Sequence, residues 1–153
     1  MTNVSPDLVW ELCRSNNAYL VKRKTGGGVQ FSRDPLNLTN KHSRKYDGFV
    51  NEKAFGLAPG EKGGVTLKSK KVHSGNKPGS GSHEVTWGQN KSNRKTYRGI
   101  ANNTAKQNYR ADLRAEAIAR ASAIRRSQRP VKDEPEKKPR GAKARKAAET
   151  KSS

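Results

Sequence analysis

The fold is decided at residues 109–130, which read YRADLRAEAIARASAIRRSQRP. Apolar residues recur there every three or four positions, a spacing that predicts a helix with one narrow apolar stripe. The stripe residues are Leu113, Ala117, Ala121 and Ile124. The helix is expected to open at Asn108 or Arg110 and to end near Ser127, because Pro130 cannot continue it.

Most of the other residues of this helix are arginine or small residues, and only Asp112 and Glu116 oppose the arginines. A helix that is merely solvated usually alternates Glu with Lys. Arginine can bind phosphate through two parallel hydrogen bonds and can stack on bases, so the segment is predicted to bind RNA while its stripe docks on protein. A preceding stretch, from Ser92, also has helical spacing and carries further basic residues. The candidate RNA-binding residues of the two stretches are Arg94, Lys95, Arg98, Arg110, Arg114, Arg120, Arg125, Arg126 and Arg129.

The position of each arginine relative to the stripe refines this prediction. Arg114, Arg125 and Arg126 lie outside the stripe and are expected to face RNA. Arg110 and Arg120 border it, so each is expected to bind either RNA or a protein carbonyl.

A second basic group lies in the first half of the chain. Three of its members precede the triglycine 26–28, and two precede Tyr46: Lys22, Arg23, Lys24, Arg44 and Lys45. They lie at strand ends and in loops, where they are candidates for phosphate contacts. An ordinary solubilising surface explains each cluster, taken singly, equally well.

The first half also carries the signals of an α+β domain. Ser5-Pro6-Asp7 predicts the start of a helix that contains Trp10, a candidate core residue. Alternation and turn residues predict short strands at residues 18–23, 29–32, 54–57, 65–68 and 83–87. The first two strands form a hairpin, and Trp87 in the last is expected either in the core or as a base-stacking platform. The predicted fold is a small N-terminal antiparallel sheet with one helix, followed by basic C-terminal helices and a basic tail prone to disorder.

The composition of the chain predicts how it divides into domains. Its 33 basic and 13 acidic residues give a net charge of +20. Leu, Ile, Val and Phe make up only about 15% of residues, a low value that is typical of chains needing a partner to order them. Most of these residues lie before residue 88. We therefore predict an α+β domain at 1–87, a basic RNA-binding helical extension at 88–131 and a low-complexity basic tail at 132–153.

The sequence argues against catalysis and against a resident metal or cofactor. It has no Ser/His/Asp or Cys/His arrangement, a single cysteine at Cys13, and three histidines far apart in the chain. The triglycine is not followed by Gly-Lys-Ser/Thr, so it is not a nucleotide-binding loop. No apolar run approaches the ~20 residues of a membrane span, and because polar residues and Pro6 follow Met1 without an apolar stretch, no secretory signal is expected. No small-molecule substrate and no membrane contact are expected.

The chain also resembles a known family. Residues 109–114, 117–124 and 126–131 are similar to the signature of the eukaryotic cytosolic large-subunit ribosomal proteins of the L-twenty-eight-e family. Weaker matches follow in the same order upstream, at Tyr19 to Arg23 and at Tyr46-Asp47-Gly48. The resemblance covers roughly residues 5–131.

The resemblance implies a structural constituent of the 60S subunit. Its partners would be large-subunit ribosomal RNA and neighbouring ribosomal proteins, in the cytoplasm after assembly in the nucleolus. The alternative is a nucleolar pre-ribosome assembly factor with a similar N-terminal domain. An RNA-modifying enzyme would need convergent acid and base groups, and the sequence shows none.

Overall fold

A computed structural model of the chain describes residues 4–72, 77, 79–134, 140–142 and 144. The predicted tail from residue 132 lies largely outside these residues, so its proneness to disorder stays a prediction. The described elements have an α+β architecture of two small antiparallel sheets and three α-helices. This confirms the predicted class, but the single predicted sheet is wrong.

The first helix, α1 (Pro6–Cys13), begins where the sequence predicts. The Leu8 backbone N–H donates to Ser5 Oγ at 3.3 Å, which satisfies one of the free amides of the first turn. The apolar side chains of α1 are not buried, however, and Leu12 is 69% exposed. Trp10 is only half-buried and packs against the ring of His42 at a centroid distance of 5.0 Å. The expectation that Trp10 belongs to the core is therefore wrong.

The predicted hairpin forms a sheet of its own. Its strands are β1 (Leu20–Lys22) and β2 (Gln30–Ser32), with Leu20 opposite Ser32. The three glycines 26–28 between them all have φ between +71° and +79°, a region that side chains disfavour. On its outer edge β2 meets only an isolated bridge from Phe31 to Lys41, so it does not join the larger sheet.

The second sheet has the order β3-β4-β5. Its antiparallel strands are β3 (Phe55–Pro59), β4 (Val65–Lys70) and β5 (Ser82–Trp87). Val65 and Leu67 alternate along one face of β4 and are buried, while Lys68 lies on the opposite face.

Two helices cover the buried face of this sheet. Ser92 caps α2 (Asn93–Ala101), which continues as a short π-helical segment at Asn102–Lys106. A 3₁₀ turn then leads into α3 (Arg114–Ser127). The four predicted stripe residues are all buried, in one cluster with Phe55, Leu57, Val65, Leu67 and Ile100. The stripe is thus confirmed, and it docks on this chain's own sheet. The cluster draws residues from both sides of position 87, where we predict a domain boundary.

Three contacts fix α2 and α3 on the sheet. The Tyr109 hydroxyl shares its one hydrogen between the carbonyls of Ala54 and Lys70, which lie at 3.2 and 2.6 Å. At the other end of α3, the Gln128 side-chain amide exchanges two hydrogen bonds with the backbone of Gly64, at 3.0 and 2.7 Å. Trp87 packs against the core and lies over Gly99 of α2, where an added Cβ would be only 2.6 Å from the indole Nε1. Of the two positions expected for Trp87, the structure therefore supports the core and not a base-stacking platform.

Candidate nucleic-acid interface

Six of the predicted RNA-binding side chains form what we call the open basic set. They are exposed, and none of them has a hydrogen bond or ion pair to any residue that the structure describes. All lie on α2, on α3 or just after α3. The set consists of Arg94, Lys95, Arg98, Arg114, Arg126 and Arg129.

The packing of the two helices explains why this set stays open. Successive residues of an α-helix are about 100° apart, so Arg126 lies about 180° from the middle of the buried stripe and faces away from the sheet. On α2 the buried residues are Thr96 and Ile100, and the basic residues lie between them on the remaining surface. Because the opposite sides are held by the core, these cations project outward on rigid elements.

A second group, which we call the anchoring arginines, uses its guanidinium groups inside the protein. Arg125 is the clearest case. Its Nε donates to the Asn93 side chain at 2.9 Å, and its terminal nitrogens donate to the carbonyls of Gln89 at 3.1 Å and Lys91 at 2.9 Å. Arg125 therefore ties α3 to the loop between β5 and α2.

Arg110 is the second anchoring arginine. It forms a two-point ion pair with Asp112, with both distances at 2.8 Å, and it donates to the carbonyls of Lys53 and Lys45 at 3.0 and 3.1 Å. The hydrogen bond with Asp112 raises the pKa of Arg110 and lowers the pKa of Asp112. Arg110 is expected to bind either RNA or a protein carbonyl, and in the structure it binds protein carbonyls. Arg120 is half-buried without a hydrogen bond to a described residue, so both alternatives remain for it.

Arg44 is the third. Its Nε and one terminal nitrogen donate to Asp7 Oδ1 at 3.1 and 2.9 Å, and its other terminal nitrogen donates to the Asn51 side chain. It joins α1 to the turns that precede β3.

The other basic residues of the first half differ in their contacts. Lys45 lies 3.6 Å from Glu116, whose carboxylate also accepts from the Tyr46 hydroxyl at 3.0 Å. A hydrogen bond from the backbone of Glu116 itself, helped by Tyr46 and Lys45, lowers the pKa of this carboxyl. Lys22 donates to the Ser15 carbonyl at 2.7 Å. Arg23 and Lys24, beside the triglycine, are exposed without a side-chain partner among the described residues.

Sequence reasoning missed a groove on the face of the second sheet opposite α2 and α3. The groove has a volume of about 250 Å³, and its lining includes Asp34, Phe49 and Lys70. The Lys70 ammonium donates to the Phe49 and Asn51 carbonyls at 3.1 and 3.0 Å. Burial lowers the pKa of Lys70, and the carboxylates of Asp34 and Asp47 oppose that effect. In the sequence, Asp34-Pro35 indicates only a turn, and no nearby pattern predicts that Asp34 lies close to Lys70.

The described residues offer no alternative centre of chemistry. Among them, no three His, Cys, Asp or Glu side chains come together as a metal site would require. Nor does any helix in the part of the chain that the structure describes have the length and apolarity to cross a membrane.

Comparison with known proteins agrees with the resemblance in the sequence. The profile of the ribosomal L28e protein family matches residues 8–127. This chain belongs to that family. The large ribosomal subunit protein eL28 of Schizosaccharomyces pombe is 41% identical over 131 residues, which are 85% of this chain and 97% of that protein. The protein of the same name from Dictyostelium discoideum is 33% identical over 129 residues, 84% of this chain and 92% of its own.

Family membership decides between the classes of function. As a ribosomal L28e protein, the chain is a structural constituent of the large ribosomal subunit and not an enzyme.

Proposed function

We propose that this chain binds large-subunit ribosomal RNA through the open basic set, together with Arg23 and Lys24 at the hairpin. One observation carries the proposal. Six exposed cations on α2, on α3 or just after α3 have no side-chain partner among the described residues, and both helices bury their opposite sides in the chain's own core. Residues 88–131 hold 11 basic and only 2 acidic residues, so this surface attracts a polyanion.

The three anchoring arginines have a different role in this proposal. Arg110 and Arg125 hold the chain around α3 to neighbouring loops and so keep the open basic set in a fixed arrangement, whereas Arg44 holds α1. A rigid arrangement of arginines can match fixed phosphate positions, whereas mobile ones lose entropy on binding. Neighbouring ribosomal proteins are the other proposed partners, in cytoplasmic ribosomes after assembly in the nucleolus.

Salt dependence tests the binding proposal. Each phosphate contact releases counterions and contributes about 0.7–0.9 to the log–log slope of affinity against salt. If the six residues of the open basic set each contact one phosphate, affinity of the full chain for large-subunit ribosomal RNA fragments should fall roughly 10³-fold between about 50 and 200 mM salt. A flat salt response would contradict the proposal.

Sedimentation separates the ribosomal role from the assembly-factor alternative. A tagged chain should migrate in sucrose gradients with 60S subunits and polysomes. Migration with nucleolar pre-ribosomes alone would favour the assembly factor instead.

A further inference from the structure

The hairpin of β1 and β2 presents one of its two sides to solvent. Ser32 points to the body of the protein and is buried, so the residues that alternate with it point the opposite way. Val21 and Phe31 are paired on that outward side, and one further backbone hydrogen bond at each end extends the same pairing. We call this side the outer hairpin face. Its residues are Tyr19, Val21, Arg23, Val29, Phe31 and Arg33.

The apolar residues of the outer hairpin face are not buried. Val29 is 45% exposed and Phe31 is 42% exposed, and neither belongs to the core cluster. Tyr19 leans against Phe49, with ring centroids 6.3 Å apart, so one of its sides is covered. A two-stranded hairpin is at best marginally stable in water without a further packing partner. Phe31 is thus an open aromatic ring in the middle of a strip that a partner can cover.

Three cations surround Phe31. Arg23 and Arg33 share its face of the hairpin, and Lys41 is paired with Phe31 in the isolated bridge, which places both side chains on the same side. All three cations are exposed, and none has a side-chain hydrogen bond or an ion pair to a residue that the structure describes. Residues 18–33 carry four basic and no acidic side chains, and the Asp34 that follows them is buried. No neighbouring carboxylate therefore neutralises this group.

These charges restrict what can cover the outer hairpin face. Cations without carboxylate partners attract an anion and repel a second basic surface. A second copy of this chain, with a net charge of +20, is therefore a poor partner. The tail at 132–153 has 8 basic and 4 acidic residues and no Leu, Ile, Val or Phe, so it offers neither opposite charge nor apolar cover. An anionic chain that carries flat apolar groups meets both requirements.

We propose that the outer hairpin face binds a short single-stranded stretch of RNA, with one unpaired base stacked on Phe31 and adjoining phosphates near the three cations. This inference rests on the proposed RNA-binding function and deepens it, because it assigns unpaired RNA to the hairpin. Single-stranded RNA is bound by positively charged surfaces on which its bases stack on aromatic side chains. A duplex keeps its bases stacked on one another, so it would leave Phe31 without a planar partner.

The spacing of the residues suits one nucleotide. Positions two apart on a strand are separated by roughly 7 Å, so Arg33 can reach the phosphate of the nucleotide whose base lies on Phe31. Arg23 and Lys41 lie on the strands to either side of Phe31 and can reach the phosphates before and after it. Base stacking has little sequence preference, because every base has a flat face. The outer hairpin face should therefore select unpaired RNA without selecting a particular base.

The test measures binding of the purified full chain to two short RNAs of equal length by fluorescence anisotropy. One is single-stranded oligoadenosine, and the other is the same ribose–phosphate chain without bases. At about 200 mM salt, contacts made through phosphate alone are weakened, so the native chain should bind oligoadenosine more tightly than the abasic RNA. Phe31→Ala should weaken binding of oligoadenosine by roughly 5- to 150-fold, the effect of losing one base–aromatic stack, and should leave the abasic RNA unaffected.

Two further changes at Phe31 separate stacking from apolar contact. Phe31→Trp keeps a flat ring and should keep the preference for oligoadenosine. Phe31→Leu keeps apolar bulk without a ring and should lose the preference as Phe31→Ala does. Phe49→Ala is the matched control, because Phe49 is also an exposed phenylalanine but lies outside the strand pairing, and it should change neither affinity. Thermal melting of each variant shows whether it folds.

Arg33→Gln tests the phosphate contact separately. It should weaken binding of both RNAs and lower the log–log salt slope by about 0.7, the contribution of one phosphate on a single strand. Arg33→Lys keeps the charge and should keep the slope. An unchanged slope in a folded Arg33→Gln protein would overturn the placing of phosphate beside Phe31.

The remaining outcomes distinguish the failure of this inference from the failure of the proposed function. If Phe31→Ala folds and binds both RNAs as the native chain does, while Arg126→Glu weakens binding of ribosomal RNA fragments, the hairpin proposal is overturned and the proposed function stands. An equal loss from Phe49→Ala would also overturn it. If Phe31→Ala binds both RNAs normally yet fails to enter 60S subunits, a neighbouring protein covers the face, and the proposal is again overturned. If the native chain binds neither these RNAs nor ribosomal RNA fragments, the proposed function itself fails.

Discussion

Arg125 and Arg126 are neighbours in the chain, yet they belong to two different regions of the molecule. Arg125 lies on the side of α3 that meets the loop before α2, and its guanidinium holds the carbonyls of Gln89 and Lys91. Arg126 is rotated by about 100° and is exposed, with no partner among the described residues. The difference teaches that a count of arginines in a basic helix overestimates the number available for phosphate.

The largest expected effect comes from breaking the buried side of α3. Ile124 is a buried stripe residue, so Ile124→Ala should lower the free energy of unfolding by about 2–5 kcal/mol through lost burial and a cavity. Urea denaturation measures this loss. Ile118→Ala on the same helix is the control, since Ile118 is only half-buried and should lose less than half as much. Equal losses would mean that the stripe is not the docking side.

The next effect sharpens the comparison between the two neighbouring arginines. Arg125→Gln removes charged hydrogen bonds to loop carbonyls and should cost about 1–2 kcal/mol of stability. Arg126→Gln removes a solvated group and should change stability by less than about 0.5 kcal/mol. Thermal melting compares the two proteins under one condition. If Arg126→Gln were the less stable variant, our division into anchoring and open residues would be reversed.

The same pair should differ in the opposite sense in RNA binding. Arg126→Gln should lower the log–log salt slope for ribosomal RNA by about 0.7–0.9, which corresponds to one phosphate contact. Arg125→Gln should leave the slope unchanged at a temperature where the variant is folded. Filter binding over a salt series gives both slopes. From the sequence, Arg125 lies outside the stripe, so its charge reversal would seem a direct test of RNA binding. In the structure this change also breaks the contacts of Arg125 with the loop, so it is a poor test.

The smallest effect concerns the ion pair of Arg110. The hydrogen bond from Arg110 lowers the pKa of Asp112 in the folded chain, so its contribution is present above the ordinary value near 3.9 and is lost as the pH falls through the folded value. Because the Asp112 side chain is 46% exposed, Asp112→Asn should cost less than about 1 kcal/mol at neutral pH. The gap between native and variant melting temperatures should close as the pH falls below about 4. A gap that widens in acid would contradict this assignment.

Local features of the fold could be predicted because their signals lie close together in the chain. The Ser5 cap, the hairpin around the triglycine and the stripe on α3 each depend on residues within one element or turn. The class α+β followed from them, and so did the side of α3 that docks.

Features that depend on distant contacts could not be predicted in this way. The periodicity of α1 resembles that of a packed helix, but nothing in the sequence shows that Leu8 and Leu12 stay exposed. The Gln128 amide meets Gly64 across 64 positions, and Arg125 meets Gln89 across 36. The groove lined by Asp34 and Lys70 likewise combines residues from several turns and β4. A helical wheel places Arg125 outside the stripe but cannot show which loop lies beside it.

Because Trp87 packs closely over Gly99, its fluorescence can report whether α2 is docked on the sheet. The chain has two tryptophans, and both are half-buried: Trp10 on α1 and Trp87 at the end of β5. In a Trp10→Phe protein, Trp87 would be the sole indole emitter, and its spectrum would depend on whether α2 covers it. Its emission should shift to longer wavelength when α2 leaves the sheet. The same fluorescence measurement would then show whether the helices that carry the open basic set are docked before RNA is added.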